Sequence, residues 1–351
     1  MTVPSLTLAE LRLLAVAGGA APSLHNSQPW RFRPAPDHRS LMVFADRARA
    51  VPLADPDGRA LHISVGAAVF NLRTAARHLG RAATVALCPE PTTPDLLAVL
   101  DLSEPSSADE PDLYPAIEHR HSSRRPFANR DVPEAVLGEL IEAATAEGAT
   151  LSVLEEAEVR RVLALTTEAE QRISADIARQ AETRGWLRLE EPASDGIPAA
   201  ALGPLDHDAR VPVRSFTGHP PRPAAHTERF EALPQVAVIS THGDHPMDWL
   251  RAGQAMERVW LLATLYGVRA SVLHQAVEWA DTRWRLRDPA EGPGHVQMVM
   301  RLGYGAPGAP TPRRAVEDVL DLSGSTDALS VGNRTGGPAQ TTDSAVLQED
   351  A

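Results

Sequence analysis

The chain has 351 residues, 43% hydrophobic and 23% charged, with a formal net charge of −12, so it can bury a large core in one large domain or two smaller ones. That acidic balance excludes a general nucleic-acid surface, because phosphate binding needs a net basic face. Cys88 is the only cysteine, which excludes internal disulfides and thiolate metal clusters, and the apolar stretch at residues 11–21 is too short for a membrane span. Nothing resembles a signal peptide, and the simplest expectation is a soluble, cytoplasmic protein with no membrane partner.

In chain order, Leu8, Leu11, Leu14 and Ala15 fall at helical spacing, with Thr7 as N-cap and Glu10 three residues on. Gly18-Gly19 ends this helix and delivers the chain to Pro22-Ser23-Leu24-His25-Asn26-Ser27-Gln28-Pro29-Trp30. Hydroxyl and amide groups pressed against a tryptophan suit a planar heteroaromatic ligand, which needs hydrogen bonds and stacking together. A helix-capping turn that buries one tryptophan fits the same residues. Residues 41–45 read as a strand, and the Asp55-Pro56-Asp57-Gly58-Arg59 turn opens a helix running to about His78. Ser64, Gly66, Ala67 and Ala68 make that helix narrow on one side, which suits close packing on another helix. Strands at 84–88 and 96–102 follow, and residues 103–111, rich in Ser, Pro and acids, read as a linker.

The second half opens with a short helix at 114–119 leading into Arg120-His121-Ser122-Ser123-Arg124-Arg125-Pro126-Phe127. Two guanidinium groups and a hydroxyl just before a helix suit a phosphate or a ligand carbonyl; a solvated basic loop is the plainer reading. A helix from 132 to 147, a strand at 151–154 and a long helix over 156–183 come next. Residues 185–230 carry seven prolines together with His207, His219 and His226 and no sustained period, as expected of a lid or binding loop. A strand at 235–240, a helix at 249–266, an apolar stretch at 268–273 and a strand at 295–302 complete the ordered part. From about residue 323 the composition predicts a disordered tail.

Three other patterns carry less. Gly303-Tyr304-Gly305-Ala306-Pro307-Gly308 fits a dinucleotide-binding pattern, but Pro307, Pro310 and Pro312 forbid the helix such a site requires. His242-Gly243-Asp244-His245 has metal-binding residue types at unfamiliar spacing, and helix capping by His245 or Asp248 explains it more simply. Ser23 and His25 lack the nucleophile elbow and partnered acid of a hydrolase. Met256, Trp260 and Leu261 read as core, on a helix that can also line an interface between halves.

The stretch from Pro22 to Trp30 resembles the Pro-Ser-x-x-Asn-x-Gln-Pro-Trp signature of the nitroreductase family, and Arg120 to Arg124 resembles its Arg-x-Ser-x-Arg signature. The order of the two is reversed relative to single-domain members, and each half holds what the other lacks. That order, with Gly196-Ile197-Pro198, Pro212-Val213-Arg214, Ala252-Gly253-Gln254-Ala255 and Arg301-Leu302-Gly303-Tyr304-Gly305, is similar to the Acg branch of the superfamily. The resemblance implies an α+β fold of two tandem lobes forming an intrachain pseudo-dimer: residues 1–110, then 111–322 with a lid-like segment at 185–230, then the tail. It implies one flavin mononucleotide (FMN) site with Ser23, Asn26, Gln28, Arg120, His121, Ser122 and Arg124 as contacts. Arg313 and Arg314 are carried over jointly for the phosphate, and Gln275 marks the segment that faces flavin N5. The implied function is an oxidoreductase passing electrons from NAD(P)H through FMN to a nitroaromatic, quinone or similar small-molecule acceptor, as a monomer or homodimer. The alternative is an FMN-sequestering or sensing protein whose lid limits turnover.

Overall fold

The computed structural model describes residues 3–107, 111–189, 193–216, 226–287 and 294–323. The tail expected beyond residue 323, and residues 190–192 and 217–225 of the irregular segment with His219, lie outside the described residues.

Helix α1 (Leu8–Gly19) begins where Thr7 and Glu10 satisfy each other's backbone N–H groups in a capping box. Beyond the motif come β1 (Trp30–Pro34), β2 (Ser40–Ala45), α2 (Arg59–His78), β3 (Arg81–Leu87) and β4 (Leu96–Pro105). They form an antiparallel sheet of order β1-β2-β4-β3. Strand β1 adds to the expected elements. Its period-two burial turns Trp30 and Phe32 inward and Arg31 and Arg33 outward, a pattern hidden inside the motif.

The chain continues through α3 (Tyr114–His119), α4 (Glu134–Thr145), β5 (Thr150–Val153), α5 (Glu156–Ala175) and α6 (Ile177–Gly185). The single helix expected over 156–183 is therefore two. Asp176 leaves the helical region at φ −91°, ψ 103°, and its carboxylate accepts hydrogen bonds from the Ala178 and Arg179 N–H groups, capping α6. Among the described residues the irregular segment contains two short parallel pairs and one 3-10 turn, Ala199–Ala201. The pairs join β6 (Leu187–Arg188) to β7 (Ile197–Pro198) and β8 (Leu205–Asp206) to β9 (Thr227–Glu228).

After it come β10 (Gln235–Thr241), α7 (Pro246–Leu265), β11 (Arg269–Val272), α8 (Ala280–Arg285), β12 (His295–Gly303) and α9 (Val316–Val319). A second antiparallel sheet has the order β11-β12-β10-β5. Helix α7 starts three residues earlier than its periodicity suggests, because His245 and Asp248 cap it reciprocally and Pro246 occupies its first turn. Asp244, just ahead, accepts hydrogen bonds from Arg283 (2.6 and 2.9 Å), Trp249 Nε1 (2.7 Å) and Gln297 (3.1 Å). No group of three or more His, Cys, Asp or Glu suited to a metal ion occurs among the described residues. No helix opens directly after β12, in keeping with the rejected dinucleotide pattern.

Helices α2 and α7 cross at the centre, and one apolar cluster joins both sheets through them. Burying each large side chain there, Trp30, Phe32 and Trp260 among them, contributes about 1.5–3 kcal/mol. The C-terminal segment returns to the first sheet: Leu320 bridges Phe32, and the Asp321 N–H donates to the Phe32 carbonyl at 2.8 Å. That return places Arg313 and Arg314 beside the tryptophan motif. Among the described residues no helix is long and apolar enough to cross a membrane.

Candidate functional site

The segment after α1 is held in an unusual backbone shape. His25, Asn26 and Gln28 all have positive φ (53°, 56° and 53°), a region that costs non-glycine residues about 1–3 kcal/mol each. The shape is fixed by hydrogen bonds: the Gln28 N–H donates to Ser23 Oγ at 2.9 Å, and Asn26 Nδ2 donates to the Pro312 carbonyl at 2.9 Å. Opposite it, residues 120–124 run along the edge of the second sheet. Ser122 bridges Ala270, and the Ser123 N–H donates to the Ala270 carbonyl at 2.9 Å.

A cavity of ≈ 140 Å³ lies between these two walls. Its floor is the α2–α7 pair, through Ile63, Ser64, Met256 and Trp260. Residues 271–275 after β11 close one side and residues 309–313 another, and Ile197, Val213, Arg214 and Phe216 of the irregular segment form its roof. Of the residues expected from the sequence, Ser23, Asn26, Arg120, His121, Ser122, Arg124, Gln275 and Arg313 line it.

Gln28 and Arg314 do not line it. Gln28 is fully buried behind the wall; its Oε1 accepts from the Arg314 N–H at 2.8 Å, and its Nε2 donates to the Ser194 carbonyl at 2.9 Å. Arg314 donates to the carbonyls of Gln28 (3.1 Å) and Trp30 (3.2 Å) and pairs with Asp46 at 3.3 Å. Both residues brace the motif from behind, and Arg314 does so because adjacent side chains of the C-terminal segment point to opposite sides. Arg313 therefore faces the cavity.

Sequence reasoning did not single out His25, Ser64, Arg214, Phe216 or His274 as site residues. Arg214 and His25 sit within motifs that were noted, but nothing local shows that they meet; the path of the irregular segment brings them to one cavity. Met256 and Trp260 belong to the core and to the cavity floor at once.

Charge is concentrated here. Arg120, Arg124, Arg214 and Arg313 line the cavity, while the nearest carboxylates, Glu257 and Glu278, stand behind it. Glu278 pairs with Arg214, and Glu257 lies 3.1 Å from Arg120. Arg124 and Arg313 have no ion-pair partner among the described residues. Burial, then the neighbouring Arg214, lowers Arg124 to about 10; burial, then Arg120, lowers Arg313 to about 9. Both keep their charge at neutral pH.

Burial first, and then neighbouring cations (Arg214 and Arg124 at His25, Arg120 and Arg313 at His121, Arg59 and Arg214 at His274), push the histidines down. His121 falls to about 4, and His25 and His274 fall well below their ordinary value, so all three are neutral. His25 Nε2, His274 Nε2, Arg214 Nε and Arg313 Nε are buried without a hydrogen-bond partner. An unmet buried polar atom costs about 1–3 kcal/mol, and its concentration around one cavity marks a place built for a ligand. The site suits an anionic group at the Arg120–Arg313 end and a flat, partly apolar body against Phe216, Met256 and Trp260.

Comparison with known proteins decides the class of this arrangement. A family model described as the nitroreductase family matches residues 117–304. The chain belongs to the nitroreductase family. Its fold is accordingly the α+β nitroreductase fold, and the family is one of oxidoreductases.

Two relatives from Mycobacterium tuberculosis (strain H37Rv) extend the match well beyond that span. The uncharacterized protein Rv3127 is 29% identical over 316 residues, covering 86% of this chain and 90% of its own. The protein acg, provisionally named an NAD(P)H nitroreductase, is 30% identical over 315 residues, covering 86% and 92%. Among solved structures, a nitroreductase with bound FMN from Bacteroides fragilis is 14% identical over 65% of this chain and 100% of its own, with a TM-score of 0.35.

Proposed function

We propose that the cavity holds FMN and that the protein is an FMN-dependent oxidoreductase accepting electrons from NAD(P)H. The observation that supports this most directly is the pair of buried guanidiniums, Arg124 and Arg313, that face one cavity without a carboxylate partner. A cavity of this charge is costly to leave without an anion, and the neutral imidazoles and apolar floor suit the isoalloxazine ring. The unpartnered Nε atoms of Arg214 and Arg313 fit the same group.

FMN, when bound, supplies two-electron redox chemistry at its ring. The chain's own residues bind and orient. Arg120, Arg313, His121 and Ser122 would hold the phosphate, and Arg124 and Asn26 the pyrimidine edge. Ser23 and Gln275 would fix the ring's flanks. Arg124 would also stabilise negative charge on the ring edge, and Phe216 with Val213 would exclude water from it. In this reading the sheets of residues 30–105 and 150–303 are the two lobes of an intrachain pseudo-dimer. The close crossing of α2 and α7 supports that view, and a single site in each chain, whether monomer or homodimer, follows from it. The electron acceptor is a small molecule such as a nitroaromatic or quinone.

A second reading, FMN sequestration, is favoured by one specific feature. Asn26 Nδ2, Gln28 Nε2 and Gln275 Nε2 donate to the carbonyls of Gly196, Ser194 and Pro212, each at 2.9 Å, and Arg124 donates to that of Ala201 at 2.6 Å. The roof is thus tied down by three residues that line the cavity and by Gln28 behind its wall. Purified full-length protein tests both readings. Flavin absorbance that bleaches anaerobically with NADH or NADPH and recovers with a nitro compound is the expected result. Flavin that stays oxidised with both nicotinamides leaves sequestration, and protein that neither carries nor takes up FMN overturns both.

A further inference from the structure

We propose that Glu257 is a positioning residue for the anion end of the cavity, and that it takes up a proton when a dianionic phosphate binds beside Arg120. The proposal rests on the FMN reading and goes beyond it.

Glu257 lies on α7, fully buried, one layer behind the cavity wall. Its carboxylate is 3.1 Å from Arg120 Nε. Arg120 is itself 97% buried, with its guanidinium 4.7 Å from the Trp260 ring centre. Its Nη2 donates to the Ala20 carbonyl at 3.0 Å, and Arg313 Nη2 donates to the same carbonyl at 3.0 Å. Two guanidiniums therefore meet at one oxygen, with one buried carboxylate behind them.

The other groups near Glu257 are few. Asn71 of α2 lies beside it in hydrogen-bonding reach, and His121 follows Arg120 on the cavity side. Arg258, next on α7, turns away to Glu147 at 2.8 Å, and Arg73 of α2 joins that same carboxylate.

The hydrogen bonding around Glu257 is incomplete in an informative way. Neither Glu257 oxygen has a well-aligned donor, Asn71 being in reach but giving its best hydrogen bond to the Ala17 carbonyl at 3.1 Å, and Asn71 Oδ1 has none; all three atoms are buried. A proton on Glu257 supplies one, since the neutral acid donates where the carboxylate only accepts. Burial raises this carboxyl, against the opposing pull of Arg120, Asn71 and Arg313, to about 7. A phosphate at Arg120 and Arg313 would offset the positive charge that keeps Glu257 ionised, so the proton equilibrium shifts toward the acid. The step is a simple protonation: solvent supplies the proton, and no other bond forms or breaks. Free of ligand, the carboxylate holds Arg120 in place; with ligand, it withdraws its charge rather than repelling the phosphate.

The test is isothermal titration of the full-length apoprotein at pH 8 in two buffers of different ionisation enthalpy, comparing FMN with riboflavin, which lacks the phosphate. At that pH free FMN phosphate is already dianionic, its second pKa being about 6, and His121 is neutral. FMN should bind with net proton uptake, and its affinity should fall by up to about tenfold between pH 7 and 8, a full unit below the value of about 9 for Arg313. Riboflavin should show no uptake. Glu257→Gln, which keeps the shape and an acceptor for Arg120, should bind FMN without uptake and with an affinity flat across this range. His121→Asn should retain the uptake. FMN binding without uptake, or uptake unchanged in Glu257→Gln, overturns the proposal while leaving the FMN reading standing; absence of any FMN binding overturns both.

Discussion

Gly66 of α2 and Gly253 of α7 make reciprocal backbone contacts. A Cβ on Gly66 would lie 2.2 Å from the Leu250 carbonyl oxygen, and one on Gly253 would lie 2.0 Å from that of Ile63. Both atoms met are main chain, so neither clash is relieved by a side-chain rotation. The contact sets how near α2 and α7 come, and so the floor of the cavity, because Ile63 and Ser64 precede Gly66 while Met256 follows Gly253.

Gly66→Ala and Gly253→Ala are therefore expected to destabilise the fold. Alanine's helix propensity favours the substitution by about 1 kcal/mol, but separating two packed helices costs more. A net loss of about 2–3 kcal/mol is expected, read as a lower midpoint in urea unfolding. A stability equal to or above that of the parent would show that the crossing is not limited by backbone contact.

Neighbouring arginines should part company on mutation. Arg313→Ala removes a cavity cation and is expected to weaken FMN binding roughly 10- to 100-fold, the range for a hydrogen bond to a charged group. Arg314→Ala leaves the cavity wall in place but strips a donor from the carbonyls of Gln28 and Trp30 and leaves Asp46 with Arg31 alone. It should cost stability, about 1–2 kcal/mol, with a smaller effect on FMN. Flavin fluorescence titration and thermal unfolding measured side by side separate the two; equal effects on binding would misplace the phosphate.

Acid should loosen the roof. Asp195 pairs with Arg188 at 2.7 Å and with Arg49. Burial alone would raise its carboxyl, but hydrogen bonds from Arg49 and Arg188 outweigh that and lower it. A depressed carboxylate stabilises above its unfolded value, near 4, and that contribution is lost as pH falls through the folded value. The roof should accordingly release bound FMN faster below about pH 4, and Asp195→Asn should show fast release already at pH 7. Stopped-flow flavin release is the measurement, and an identical rate in Asp195→Asn at pH 7 would remove the latch.

The same sign applies to Asp244, which ties the start of α7 to Gln297 of β12 and Arg283 of α8. Burial works against ionisation here, yet the hydrogen bonds from Arg283, Trp249 and Gln297 carry the carboxyl far below its usual range. Asp244→Asn is expected to lose about 2–3 kcal/mol at pH 7, with the gap to the parent closing only in strong acid. A gap unchanged at low pH would assign the loss to packing rather than charge.

The chain alone determined much of this protein. Local patterns carry over directly into structure where neighbours in sequence are also neighbours in space: the Thr7–Glu10 cap, the turn at Asp55–Arg59 and the two signatures that mark the family. The break at Asp176 was not legible, because helical periodicity runs on through it while one capping carboxylate ends the run. Nor was the choice between Arg313 and Arg314, adjacent residues of the same chemistry whose directions depend on how an extended segment returns to Phe32. That Pro22–Gln28 and Arg120–Arg124 share one site was implied by the family resemblance, but only tertiary structure set Glu257 behind Arg120 and laid Arg214 and Phe216 over the cavity. Those relationships span roughly a hundred residues or more in several cases, and long-range packing and burial, rather than any local propensity, decide them.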